Sequence, residues 1–216
     1  MMARKRISQK PRRTILVVTA TEAEALYFSQ MRKDCRYANM TVVWEPDYKD
    51  LANLITLAGR MRTKEQYSSV WLVFGFADLD VSVQEVKELM PHAEKKKVNL
   101  AWNNPSLPLW YLLHLQTPKG FVKDPAMIES ALAGQFPGFS SDAAYLLDEG
   151  LDLHLKLYSA KSKAAVNASS YNALTASQVG LAPTNMVALL NDITDICGLA
   201  DLTHNQKRLG LNKNKG

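Results

Sequence analysis

The sequence predicts an α/β fold in which a four-stranded parallel sheet is flanked by helices. Short apolar segments rich in β-branched residues alternate four times with helix-like segments in the first half of the chain, which is the pattern of βαβ units. The chain has 216 residues, of which 47% are hydrophobic and 22% are charged. A chain of this size and composition buries a core without disulfides or structural metals.

The predicted elements of the first half follow one another closely. Strands are expected at residues 14–20, 40–45, 69–76 and 98–102, and helices at 21–33, 50–62, 82–96 and 109–115. Two helices begin with a capping box, Thr21-x-x-Glu24 and Ser82-x-x-Glu85, in which hydroxyl and carboxylate oxygens satisfy the first backbone N–H groups. Right-handed crossovers bring the carboxyl ends of parallel strands to one edge of the sheet, where ligands bind in such folds.

The second half of the chain is rich in Ala, Leu, Ser and Asn and is expected to pack helices against the sheet. Helices are predicted near 126–134, 141–157, 160–174 and 184–198. Little apolar periodicity is present in 156–176, so part of this segment is expected to be irregular. The predicted organisation is a basic tail at 1–13, an α/β core at 14–116, a helical region at 117–206 and a second basic tail at 207–216.

Positive charge is concentrated at the two ends of the chain. The predicted tails hold ten basic residues and no acid, which leaves a net charge of −5 on the body within a total of +5. Basic segments attract phosphate backbones through counterion release. Solubilising tails and an acidic protein partner are the alternatives. The candidate nucleic-acid-binding residues are Arg4, Lys5, Arg6, Lys10, Arg12, Arg13, Lys207, Arg208, Lys213 and Lys215.

Several classes of protein are excluded by the pattern of apolar residues and cysteines. The longest nearly apolar stretch, Leu107 to Leu115, has nine residues, whereas a membrane span needs about 20. No apolar segment follows the basic N-terminus, so a secretory signal is not expected. Cys35 and Cys197 lack metal-site spacing, which argues against a zinc site or disulfide framework and favours a cytoplasmic location.

Acidic side chains follow the first and third predicted strands. Glu22 and Glu24 come after the first, and Asp78 and Asp80 after the third. Carboxylates at neighbouring strand ends are able to hold Mg²⁺ for phosphodiester cleavage. Helix capping by the Glu pair and turn formation by the Asp pair are the structural alternatives.

The chain begins with a basic segment, ILVV, an acidic turn and LYF, and Val70-Trp71-Leu72-Val73-Phe74 precedes a second acidic turn. The most specific segment runs from Asn104-Pro105 through Trp110 to His114. These three segments resemble the RloB-like family, and the last resembles the family element NPxFELWLLLH. Ala182-Pro183-Thr184 is more loosely similar to a later family segment. The resemblance covers about residues 4–190 and implies a TOPRIM-type nuclease fold with a Mg²⁺ site, associated with phage defence.

The departures from the family pattern fall on its acids. Thr19-Ala20-Thr21-Glu22 stands where the resemblance gives CEGE, and Gly75-Phe76-Ala77-Asp78 stands where it gives DRDD, so only Asp78 matches there. Pro108 replaces the Glu of FELW. Substitutes displaced by two or three residues lie about 6–10 Å away along an extended chain, and catalysis falls steeply with such misplacement.

We therefore expect a catalytically degenerate RloB-like TOPRIM protein. It would bind nucleic acid or a protein partner in a phage-defence or mobile-element assembly, with no cofactor and no membrane contact. One alternative is an active Mg²⁺-dependent nuclease with Glu22, Glu24, Asp78 and Asp80 as catalytic acids and Asp78 and Asp80 as metal ligands. The other is a purely structural α/β interaction scaffold.

Overall fold

A four-stranded parallel sheet in the order β2-β1-β3-β4 forms the centre of the molecule. The computed structural model describes residues 12–148 and 151–208. The strands are β1 (Ile15–Thr19), β2 (Met40–Trp44), β3 (Ser69–Gly75) and β4 (Asn99–Asn103). The predicted α/β class, the number of strands and their parallel direction are confirmed.

Three helices cross between consecutive strands, and a fourth follows the sheet. They are α1 (Glu22–Asp34), α2 (Leu51–Glu65), α3 (Val83–Lys96) and α4 (Pro108–Leu115). Both predicted capping boxes are present at the starts of α1 and α3. Asp50 caps α2 by accepting a hydrogen bond from the backbone N–H of Asn53 at 2.8 Å.

The remaining elements are helical. The helices are α5 (Pro125–Ala133), α6 (Ala143–Asp148), α7 (Leu153–Leu157), the 3₁₀ turn Tyr158–Ala160, α8 (Lys161–Val179) and α9 (Met186–Arg208). The prediction of one helix at 141–157 is wrong, because Asp152 caps a new helix by accepting from the N–H of Leu155 at 3.0 Å. The helix predicted at 160–174 is confirmed as α8, whose small residues pack closely against α4, and the interruption expected within 156–176 is limited to the 3₁₀ turn. No helix within the described ranges combines the length and hydropathy needed to cross a bilayer.

Helices cover both faces of the sheet and create two hydrophobic cores. On one face, Leu16 and Leu72 pack with residues of α2 and α3. On the other, Ile15 and Val17 pack with α1, α4 and the helices of the second half. Every residue of β1 is buried, which explains its uninterrupted apolar run, since alternation is expected only when one face meets water.

The edge strand β4 is covered by the chain that leads into α9. Asn185 accepts a hydrogen bond from the N–H of Trp102 and donates one to the carbonyl of Leu100, both at 2.7 Å. The Thr184 hydroxyl donates to the Asn103 side-chain oxygen at 2.8 Å. A side-chain amide thus satisfies the backbone that a neighbouring strand would otherwise occupy.

Asn185→Ala is expected to destabilise the protein by about 2–3 kcal/mol, because it removes both hydrogen bonds and leaves the N–H of Trp102 without an acceptor. Urea unfolding of the variant measures this change. Asn191→Ala, at an exposed position of α9, is the control and is expected to unfold like the wild type. Equal stability of the two variants would contradict the role of Asn185 as a cover for β4.

Candidate functional site

The carboxyl ends of β1 and β3 face a cleft that is closed by the second half of the chain. This strand-end cleft has a volume of about 240 Å³ and is lined by Thr21, Glu22, Asp78, Ser106, Ser141 and Asp142, with apolar neighbours. Sequence reasoning placed Glu22 and Asp78 here. It missed the hydroxyl groups and Asp142, which come from segments far along the chain.

Glu24 lies beneath this cleft with its side chain fully buried. Its Oε2 atom accepts hydrogen bonds from the backbone N–H groups of Ala20 and Thr21, each at 3.0 Å. The Thr21 hydroxyl accepts in return from the N–H of Glu24 at 3.2 Å. The second carboxyl oxygen of Glu24, Oε1, is buried without a hydrogen-bond partner in the described part of the chain. Glu24 therefore caps α1 with one oxygen and presents the other to the strand ends.

Asp78 folds back over Gly75 at the end of β3. A Cβ atom at residue 75 would lie 2.0 Å from Asp78 Oδ2 and 2.9 Å from the Cα of Ser106, so only glycine fits here. The turn is fixed by hydrogen bonds from Leu79 N–H to the Gly75 carbonyl at 3.3 Å and from Ala77 N–H to the Pro105 carbonyl at 2.9 Å. Because this segment turns, the Asp78 carboxyl group lies where a side chain at residue 75 would be, not further along an extended chain.

Glu24 and Asp78 interact electrostatically. Burial raises the pKa of Glu24 well above its usual value, and the neighbouring charge of Asp78 raises it further, against the lowering effect of the bonds from Thr21 and Ala20. Burial of the Asp78 carboxyl group raises its pKa to about 6, although the residue as a whole is exposed and water screens part of this effect. Burial and mutual repulsion therefore disfavour two negative charges at this place.

Two further buried polar atoms at this end of the molecule have no hydrogen-bond partner within the described residues. They are Asn103 Nδ2, at the end of β4, and the hydroxyl of Tyr111 on α4. Burial raises the pKa of Tyr111, and Tyr27 and Glu24 raise it further. The strand ends therefore contain more polar atoms than their own fold satisfies, which is unusual for a purely structural region.

The four predicted acids do not come together as one metal site. Asp80 is exposed, adopts a left-handed conformation (φ 51°) and does not line the cleft. Among the described residues, the group of three acidic, histidine or cysteine side chains with ligand atoms within 4.8 Å of one another is Asp34, Asp152 and His154, away from the strand ends. Lys33 contacts both of its carboxylates, at 3.8 and 2.9 Å, so that group is already compensated by a cation.

Glu22, Asp78 and Asp142 line the cleft, and Glu24, whose Oε1 has no hydrogen-bond partner in the described chain, is close enough to Asp78 to interact with its charge. Mg²⁺ is able to bind through one or two carboxylates and to complete its shell with water and phosphate. Oε2 of Glu24 is already committed to two backbone donors.

The residues of the family-like segment have structural contacts. The Asn104–Pro105 peptide bond is cis, and the Asn104 N–H donates to the Pro183 carbonyl at 2.7 Å. Trp110 Nε1 donates to the Tyr27 hydroxyl at 3.1 Å. His114 Nδ1 lies 2.8 Å from the Trp110 carbonyl.

The predicted basic residues are only partly within the described chain. Arg4, Lys5, Arg6, Lys10, Lys213 and Lys215 lie outside it. Arg12 donates to Asn39 Oδ1 at 3.4 Å, and Arg13 lies 3.9 Å from Asp192. Lys207 and Arg208 end α9, so the helix extends into the segment predicted as a tail.

A basic groove lies at the opposite end of the sheet from the strand-end cleft. It runs between the C-terminal turns of α2 and α3 and is lined by Thr56, Gly59, Arg60, Arg62, Thr63, Lys95, Lys96 and Lys97, without an acid. The stem of Lys96 crosses Gly59, where a Cβ would lie 3.0 Å from Lys96 Cβ.

Comparison with known proteins gives one match. The family model described as RloB-like protein matches residues 15–193. No curated protein matches the chain, and no solved structure does. The matched residues include all four strands of the sheet and most of the helical region.

Asp78→Asn is expected to weaken the pH dependence of stability between about pH 4 and 7. The pKa of Asp78 in the folded protein, about 6, lies above the ordinary 3.8. Its contribution to stability is therefore fully present below the unfolded-state pKa and is lost as the pH rises towards the folded-state value. Urea unfolding at several pH values should show a smaller fall in the free energy of unfolding for Asp78→Asn. Asp80→Asn is the control, and equal falls in all three proteins would refute the buried-carboxyl account.

Proposed function

Because this chain belongs to the RloB-like family, we propose that it binds the phosphate backbone of a nucleic acid in the basic groove and leaves the strand uncut. The observation that carries the proposal is the cluster of five cations, Arg60, Arg62, Lys95, Lys96 and Lys97, in one groove lined by no acid. Lys and Arg side chains at such density bind phosphates by charge and counterion release, largely without reading base sequence.

The basic N-terminal segment joins the fold beside this groove. The backbone of Thr14 is hydrogen-bonded to Ser68, which directly precedes β3. Ser68 lines a second surface depression that shares Arg62 and Lys97 with the groove. The described part of the basic segment therefore enters the fold at the amino edge of the sheet, at the opposite end from the strand-end cleft.

The basic groove and the strand-end cleft lie at opposite ends of the sheet. β3 has seven residues, which at about 3.3 Å per residue corresponds to about 20 Å. A nucleic acid held only in the basic groove would not present a phosphate to Glu24 and Asp78. With four acids of the family pattern replaced, at Ala20, Gly75, Ala77 and Pro108, and Glu24 used as a helix cap, binding without cleavage is the function that the geometry favours.

The proposed setting follows from the family resemblance. We propose that the protein acts in the cytoplasm as a non-catalytic TOPRIM-like subunit of a phage-defence or mobile-element assembly. The strand-end cleft and its hydroxyl groups would then be available to a protein partner.

Replacing three cations of the groove should weaken nucleic-acid binding and its dependence on salt. The variant Arg60→Gln, Lys95→Gln, Lys97→Gln is compared with the wild type by fluorescence anisotropy on single- and double-stranded DNA and RNA between about 50 and 200 mM KCl. The slope of log affinity against log salt for a DNA duplex is expected to fall by about 0.9 for each phosphate that the variant no longer neutralises.

The matched control removes the same charge elsewhere through Lys119→Gln, Lys123→Gln and Lys156→Gln, all at exposed positions. It should retain most of the affinity and the slope. Equal losses in the two variants would show that only total charge matters, and absence of binding at low salt would refute the proposed function.

A second candidate function is metal-dependent cleavage of a nucleic acid. It is favoured by the Asp78 carboxylate, which occupies the space that a side chain at residue 75 would fill, the position where the family pattern has its first acid. Glu24 and Asp78 would hold the ion, and a bound divalent ion stabilises the charge that develops when a phosphodiester bond breaks.

Incubation of labelled DNA and RNA with the protein and Mg²⁺ or Mn²⁺ decides between the two functions. We expect intact strands. Cleavage that is abolished by Asp78→Ala and Glu24→Gln, but retained by Asp80→Ala, would establish the second candidate and overturn the first.

A further inference from the structure

The surface depression beside the basic groove differs from the groove in its chemistry. We call it the edge depression. It has a volume of about 570 Å³ and lies between the last turns of α3 and the first residues of β3 and β4. Arg62 and Lys97 line both the edge depression and the basic groove, so the two surfaces meet at these two cations.

The edge depression has an apolar floor. Buried residues of the sheet and of α3 form it, and the half-buried side chain of Met90 lies beside them; the floor residues are Val70, Ala93, Leu100 and Trp102. Apolar atoms cannot replace the hydration that a phosphate loses on binding. This part of the surface therefore suits a different group from the one that the groove suits.

The floor and the cationic rim are fixed by hydrogen bonds. Trp102 Nε1 donates to the Ala182 carbonyl at 2.8 Å, which holds the indole ring. Lys97 ends α3 in a left-handed conformation (φ 56°), and its N–H donates to the Glu94 carbonyl at 2.9 Å. A surface that is already ordered pays little conformational entropy when a ligand binds.

Two exposed polar side chains complete the lining, Glu94 and Asn99. The Glu94 carboxylate repels a phosphate but accepts hydrogen bonds from an amino group. The Asn99 amide both donates and accepts. Nucleic-acid bases carry donors and acceptors on their edges and have apolar faces. The edge depression thus has the contacts that suit a base, next to a groove that suits its phosphates.

We propose that the edge depression holds one unpaired base of a single-stranded nucleic acid whose backbone lies in the basic groove. This inference rests on the proposed function and names its substrate as a single strand rather than a duplex. In a duplex the faces of the bases are stacked and paired, and only their edges reach the grooves. A single strand is able to turn a base outward while its phosphates follow a basic surface.

Binding by charge alone would give the opposite preference. A duplex carries a denser array of phosphates than a single strand, and it releases more counterions for each phosphate that is neutralised. Tighter binding of the single strand at the same salt concentration therefore requires contacts with the bases.

Fluorescence anisotropy with the full-length protein compares three labelled DNA probes of about ten nucleotides, which is within the usual range of single-strand sites. They are a deoxycytidine-rich single strand, the same strand in a duplex, and a strand of equal length in which every nucleotide is abasic. We expect the single strand to bind about tenfold more tightly than the abasic strand, the gain typical of one base in contact with the protein. It should also bind more tightly than the duplex.

Substitutions at the exposed rim test the hydrogen bonds to the base. Asn99→Ala and Glu94→Gln should each reduce the ratio of single-strand affinity to abasic-strand affinity several-fold. Glu94→Gln also removes a negative charge, so a depression that held only phosphate would bind both strands more tightly and leave the ratio unchanged. Gln84→Ala, an exposed amide in the first turn of α3, is the control and should not alter the ratio.

Methionine methyl NMR locates the base without any change in the protein used for binding. The chain contains eight methionines, and the Met90 resonance is assigned with Met90→Leu. We expect the single strand to shift the Met90 methyl resonance and the abasic strand to leave it in place.

The outcomes separate this inference from the function on which it rests. Equal, salt-dependent binding of the single and abasic strands, or a preference for the duplex, would refute the base site and leave phosphate binding in the groove intact. An unshifted Met90 resonance in the complex with the single strand would also refute it. Absence of binding by all three probes at low salt would overturn both proposals.

Discussion

The buried carboxyl group of Glu24 is the constraint on which both ends of α1 depend. It is taken out of water to satisfy two backbone N–H groups where β1 turns into α1, which sets the direction of the helix. That direction places Tyr27 and Met31 in the core on the α1 face of the sheet and in the wall of a cavity between helices. The same carboxyl group faces Asp78, whose position in turn requires glycine at residue 75. A helix cap, a strand-end turn and a cavity wall thus share one group.

The sequence was sufficient where short-range chemistry decides structure. The uninterrupted apolar runs predicted all four strands, and Thr21 and Ser82 predicted the starts of two helices because their partners lie only three residues away. The division of the helix predicted at 141–157 was missed because amphipathic spacing outweighed the capping signal of Asp152. The helix predicted at 160–174 is present as α8, but its small residues give a weak periodicity, and only contact with α4 reveals their role.

The candidate sites were harder to predict, since they depend on contacts between distant segments. Asp78 was recognised as the acid that matches the family, but its return over Gly75 depends on a turn that an extended-chain estimate does not contain. Asp142 and Ser141 reach the strand-end cleft through the fold of the second half. The basic groove combines Arg60 and Arg62 with three lysines from another helix, and no sequence motif joins them.

The central claim is that nucleic acid is held at the amino edge of the sheet and is not cut at the carboxyl edge. Photocrosslinking of bound RNA or DNA in the presence of Mg²⁺, followed by peptide mapping and sizing of the strand, measures both parts at once. The account predicts crosslinks in the peptides that contain Arg60 and Lys95–Lys97, on strands of unchanged length. Crosslinks confined to the peptides that contain Glu22 and Asp78, on shortened strands, would contradict it.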